Sequence, residues 1–96
     1  MSQSPLGSSQ SLSDAVAHLA ATIDARANDD PGQSYTAKLL SEGPLSCAKK
    51  IAEEGAELAL AIAAQSKEET ASEAADLLYH MLVGLRAKGV TLEEVA

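Results

Sequence analysis

Apolar residues recur at helical spacing along most of the chain. Leu12, Val16, Leu19, Ile23 and Ala27 are separated by four, three, four and four positions, which puts them on one side of a helix. Ser11 and Ser13 are candidate caps at its start. Asn28-Asp29-Asp30-Pro31-Gly32 is dense in turn residues and should end it near Asn28. Thr36 is placed to cap a short helix running through Leu40. Gly43 closes that turn, and Pro44 suits the first position of the next helix.

That next helix is expected from Pro44 to about Gln65, with Cys47, Ile51, Leu58 and Ile62 as its apolar stripe. At about 100° per residue, Glu54 falls roughly 60° from the middle of the stripe, at its edge. Glu57 lies further round on the same side, and Glu53 points away. Gly55 in mid-helix costs roughly 1 kcal/mol against alanine, which either close approach of a partner helix or chance would explain. Ser66-Lys67-Glu68-Glu69 forms a capping box, and a third helix then runs to about Lys88 and stops at Gly89. Its middle, Leu77-Leu78-Tyr79-His80-Met81-Leu82-Val83-Gly84-Leu85, is apolar nearly all round. One small protomer cannot cover that circumference, so a homodimer is expected. Thr91-Leu92-Glu93-Glu94 opens a further capping box just before Ala96.

The 96 residues fit one domain, expected over residues 12–96 behind a disordered leader at residues 1–11. Alanine supplies much of the 46% hydrophobic content, aromatics are 2%, and there is no Trp or Phe. Such a composition favours closely packed helices over sheets. The predicted fold class is therefore all-α: an antiparallel bundle of three main helices plus a short helical segment, completed by dimerisation. A formal net charge of −7 argues against direct nucleic-acid binding. It leaves a phosphate substrate open, because bound divalent ions invert the local field. The single cysteine, Cys47, cannot close an intrachain disulfide. No apolar run reaches membrane-spanning length, and a cytoplasmic location without membrane partners is expected. Zinc spacings, phosphate loops and dinucleotide fingerprints are missing from the sequence.

The candidate chemistry lies between Lys49 and His80. Glu54 and Glu57 are three apart on the second long helix, and Glu73 and Asp76 are three apart on the third. That spacing puts each pair on one face. A short turn makes the two helices antiparallel, so four carboxylates converge in one cleft. Their repulsion calls for cations, and all-oxygen ligation suits Mg²⁺, with Mn²⁺ as a substitute. The competing view is a solvated acidic face, the usual fate of glutamates on helices. His80, one turn past Asp76, is more often a core or interface histidine than a ligand.

Ser34-Tyr35-Thr36, Lys50, Glu53-Glu54-x-x-Glu57 and Glu73-x-x-Asp76-Leu77-Leu78-Tyr79-His80 together resemble the phosphoribosyl-ATP pyrophosphohydrolases. These belong to the all-α, MazG-like nucleoside triphosphate pyrophosphohydrolases. The resemblance spans roughly Leu19 to Val95. It implies Mg²⁺-dependent hydrolysis of phosphoribosyl-ATP to phosphoribosyl-AMP and pyrophosphate in histidine biosynthesis, by a dimer or larger helical assembly. Members usually continue past the position of Ala96 with a completed helix and basic residues. On this reading Glu54, Glu57, Glu73 and Asp76 hold the metal, and Glu53 or Glu54 takes the water's proton. Lys50, and less directly Arg26, Lys38 and Lys49, would hold phosphate oxygens. Ser34, Tyr35 and Thr36 would contact phosphate or ribose, the alternative being that Ser34 and Thr36 are helix caps only. Two other functions compete: a house-cleaning pyrophosphohydrolase using the same metal site, and a non-enzymatic acidic dimerisation module.

Overall fold

The computed structural model describes residues 11–96. All but the last residue of the expected leader lies outside them. The elements are α1 (Leu12–Arg26), α2 (Tyr35–Glu42), α3 (Pro44–Ala64), α4 (Lys67–Lys88) and α5 (Leu92–Val95), with no strand among the described residues. The all-α bundle of three long helices and a short segment is thus the observed architecture.

Caps set most of the boundaries. The Ser11 hydroxyl accepts from the Asp14 amide and starts α1, which ends at Arg26, two residues before the expected Asn28. The cap of α2 is Ser34, not Thr36: its hydroxyl accepts from the Ala37 amide. Thr36 is buried within the helix, and α2 runs on to Glu42. Gly43, at φ 92°, turns the chain directly into Pro44, a backbone angle that favours glycine. Both halves of the Ser66–Glu69 capping box are formed, and Gly89 ends α4 in the left-handed conformation at φ 81°. The Thr91–Glu94 box also forms, over the single turn of α5.

α3 and α4, joined by Gln65-Ser66, make the principal packing of the molecule, and α2 rests on both. α1 packs on α4 and α2. The core gathers Ile23, Leu39, Cys47, Leu82 and Val83, with Val16, Leu19, Leu40, Tyr79 and Ala87 against it. It therefore sits at one end, around the start of α3 and the end of α4. The opposite end of the hairpin stands largely uncovered: Leu60 is 65% and Ile62 68% exposed. This corrects the expected stripe of α3. Ile62 faces out, Ala61 is fully buried in its place, and the inward face runs Cys47, Ile51, Glu54, Leu58, Ala61. Glu54 is in the middle of that face rather than at its edge.

The close approach between helices occurs at Gly84, not Gly55. A Cβ on Gly84 would sit 2.9 Å from Ile51 Cδ1, whereas nothing lies within 4 Å of one on Gly55. An alanine at Gly55 then gains helix propensity of about 1 kcal/mol at no steric cost. We expect Gly55→Ala to raise the melting temperature by a few degrees. Gly84→Ala should gain less or lose stability, because Ile51 must move. Thermal melts followed by circular dichroism compare the two, and a Gly84→Ala protein as stable as Gly55→Ala would refute the close crossing.

Candidate functional site

The α3–α4 hairpin brings Glu54, Glu57 and Glu73 together, with one carboxylate oxygen from each within 4.8 Å of the others. Glu54 is only 8% exposed, Glu73 is half-buried and Glu57 is exposed. Oε1 of Glu73 is buried without a hydrogen-bond partner. Burial pushes the Glu73 carboxyl above its ordinary range, and the charges of Glu57, Asp76 and Glu54 push it further. Two ionised carboxylates only accept hydrogen bonds, so Glu73 can bond Glu57 only by keeping a proton. A cation would replace that proton and satisfy the orphaned oxygen. Three converging carboxylates form an all-oxygen donor set that suits a hard divalent ion. Asp76 is exposed one turn beyond Glu73. Its charge reaches Glu73, but its carboxylate is outside the close triad.

Lys50 sits beside the acidic group. Its ammonium is 3.5 Å from Glu53 Oε1 and 3.9 Å from Glu54 Oε2, one turn along α3 in each case. The neighbouring Tyr35 phenol, then Glu53 and Glu54, raise the Lys50 pKa. Glu53 is largely exposed and not part of the triad.

The two tyrosine-bearing segments meet each other. Tyr35 hydroxyl lies 3.0 Å from His80 Nε2, and Thr36 Oγ1 bonds the Tyr79 hydroxyl. His80 Nδ1 is 2.8 Å from the Asp76 carbonyl oxygen. A carbonyl only accepts, so Nδ1 carries the hydrogen, and Nε2 of the neutral ring accepts from Tyr35. The rings stack alongside: Tyr35 and Tyr79 have centroids 6.2 Å apart, and His80 stands edge-on to both. This double clasp ties α2 to α4 and was not read from the sequence. The signal available was two adjacent hydroxyl residues on one helix and an adjacent Tyr-His pair on another. Both nitrogens of buried His80 are thereby engaged. Ser34 is used as a helix cap. Arg26 and Lys38 are exposed, and no contact links either to the triad. The basic residue paired with α1 is Arg86, whose guanidinium donates to Asp24. A concavity of about 550 Å³ lies at the other end, between α1, the end of α4 and α5. It contains none of the clustered carboxylates.

A sequence model of the family described as phosphoribosyl-ATP pyrophosphohydrolase matches residues 16–96. The chain belongs to the phosphoribosyl-ATP pyrophosphohydrolase family. It is thus a hydrolase of the all-α, MazG-like superfamily, as the Ser34-Tyr35-Thr36 and Tyr79-His80 segments imply. Relatives named phosphoribosyl-ATP pyrophosphatase agree. The protein of Caulobacter vibrioides is 51% identical over 88 residues, covering 92% of this chain and 81% of its own. That of Cereibacter sphaeroides is 52% identical over 77 residues, covering 80% and 75%. That of Methylobacterium radiotolerans is 52% identical over 80 residues, covering 83% and 75%. Among the described residues no helix is long and apolar enough to cross a membrane.

The strained carboxyl of Glu73 has a measurable signature in metal-free protein. A carboxyl whose folded pKa is raised stabilises the fold while protonated, and that contribution is lost as pH rises through the raised value. Glu73→Gln keeps the shape and removes the titration. Melting temperatures taken in chelator from about pH 4 to about pH 8 should therefore show the parent losing stability relative to Glu73→Gln as pH climbs. Parallel curves would mean that Glu73 titrates as a free glutamate.

Proposed function

We propose that the chain hydrolyses phosphoribosyl-ATP to phosphoribosyl-AMP and pyrophosphate, with Mg²⁺ held by Glu54, Glu57 and Glu73. The single observation that carries this reading is the convergence of those carboxylates with one buried, unpartnered oxygen, in a chain of this family. Asp76, one turn from Glu73, is the fourth ligand. A bound divalent ion neutralises the phosphate chain and lowers the barrier to attack by water. Mn²⁺ serves in its place, since the donor set is all oxygen.

The chain's own residues divide the remaining work. Lys50 places its ammonium on a phosphate oxygen of the substrate. Glu54 is committed to the metal, which leaves Glu53, across the Lys50 ammonium from it, as the base that takes the water's proton. The water oxygen joins phosphorus, the anhydride bond between the α and β phosphates breaks, and pyrophosphate departs. Arg26 and Lys38 lie outside this machinery as arranged here and would engage only the outer parts of a bound nucleotide. Ser34 and Thr36 support it through the cap and the clasp.

The assembly is a homodimer in the cytoplasm. Leu60 and Ile62, exposed on the uncovered half of the hairpin, are apolar surface that a second copy would bury. Light scattering at micromolar concentration should give at least twice the 9.9 kDa chain mass, and Ile62→Glu should lower it. A monomeric parent protein would refute the dimer.

Glutamine replacements test the site. Glu54→Gln should keep its helical content and lose turnover by on the order of a hundredfold or more. It should also lose the rise in melting temperature that millimolar Mg²⁺ gives the parent. Glu53→Gln should keep the Mg²⁺-dependent rise while turnover falls. Glu68, exposed in the first turn of α4, is the control, and Glu68→Gln should match the parent in both assays. Equal behaviour of Glu54→Gln and Glu68→Gln would show an ordinary solvated acidic face and sink the metal site.

A further inference from the structure

Glu54 is the most buried carboxylate of the triad, and a buried charge calls for a partner. Its two neighbours there, Glu57 and Glu73, carry the same sign. Among the described residues the one cation paired with it is Lys50, whose ammonium is 3.9 Å from Oε2. The same ammonium is 3.5 Å from Oε1 of Glu53. Ion pairs one turn apart on an exposed helix face are common and contribute little. This one differs because its Glu54 end cannot turn to water. Only 11% of the Glu54 side chain is exposed, against 60% for Glu53.

One carboxylate therefore serves two cation positions: Glu54 belongs to the triad and also pairs with Lys50. The hold on Lys50 is loose, since 3.9 Å exceeds a hydrogen bond and leaves only charge attraction. Cations that share a carboxylate repel each other, and a divalent ion outweighs an ammonium. We infer that Lys50 is the resident counter-ion of the metal-free triad, balancing Glu54 until a divalent ion takes that carboxylate. Metal entry then turns the ammonium outward, toward exposed Glu53 and the incoming phosphate. The flexible stem of lysine allows the swing without movement of α3. The group that binds phosphate is thus held in reserve until the metal is in place. The inference rests on the reading of Glu54, Glu57 and Glu73 as metal ligands and of Lys50 as a phosphate-binding residue.

Two measurements without nucleotide test it. Mn²⁺ titrations followed by electron paramagnetic resonance give the metal affinity of the parent, Lys50→Met and Lys49→Met. Lys49 is exposed and in no ion pair among the described residues, so its variant removes the same charge without the contact. Lys50→Met should bind Mn²⁺ about fivefold more tightly than the parent, and Lys49→Met within about twofold of it. Parental affinity in Lys50→Met would overturn the inference. So would equal tightening in both variants, which would be an effect of net charge alone. The second measurement uses the unaltered protein: brief acetylation, with each lysine read by mass spectrometry. Excess Mg²⁺ should speed modification of Lys50 by about threefold and leave Lys49 and Lys67 unchanged. A Lys50 rate that Mg²⁺ does not raise would show that the ammonium is not released. A parent protein that binds no Mn²⁺ would remove the metal-ligand reading, and the inference with it. A Lys50→Met enzyme with parental KM at saturating Mg²⁺ would remove the phosphate-binding reading and the second half of the inference, while the Mn²⁺ affinities judge the first half by themselves.

Discussion

Like charges held close together are the constraint on which this small protein is built. Glu54, Glu57 and Glu73 repel one another, and Glu54 does so from the middle of an inward face that is otherwise Cys47, Ile51, Leu58 and Ala61. A lone hairpin would relieve that repulsion by opening. Packing opposes the opening along its length. Gly84 lets Ile51 press against α4, Ala61 is fully buried nearer the turn, and the Thr70 hydroxyl reaches across to the Ala61 carbonyl at 3.1 Å. The apolar core, gathered away from the carboxylates, supplies the stability that the acidic half consumes.

Much of this was legible in the sequence because it is locally determined. Pro44, the Ser66–Glu69 box and Gly89 set helix ends through bonds within a few residues, and the structure places those ends as read. The pairs Glu54/Glu57 and Glu73/Asp76 were also legible, since spacing on a helix fixes the face. What failed depended on neighbours that are distant in sequence. Ile62 looked like core and stays 68% exposed, because the part of α4 beside it, with Lys67, Thr70, Ala71 and Ala74, is polar and small-chained and does not cover it. Ala61 fits there instead, and this rotates the inward face onto Glu54. Gly55 could have been a crossing point or a chance glycine, and the crossing fell at Gly84, set by the bulk of Ile51. Both Ser34 and Thr36 could have been caps; Ser34 took the role, which left Thr36 to meet Tyr79.

The clasp also gives meaning to two segments that resemblance could only label. Tyr35-Thr36 and Tyr79-His80 answer each other across helices, in crossed order. The hydroxyls first assigned to the nucleotide are spent largely on each other's helices. Their role is then geometric: they hold α2 against the carboxylate hairpin.

The turn between α3 and α4 has one more consequence. Glu57 stands eight residues before Gln65, and Glu73 stands seven after Ser66. The carboxylates are nearly mirror-placed about a two-residue connection, which therefore acts as a ruler. Adding one residue there would swing the face of α4 by about 100° relative to its start and carry Glu73 away from Glu57. The turn can vary in chemistry so long as it caps the helix, but hardly in length. Descendants of this chain would accordingly tolerate insertions after α1 or beyond α4 far more readily than between Gln65 and Ser66, although exposed residues stand at all three places.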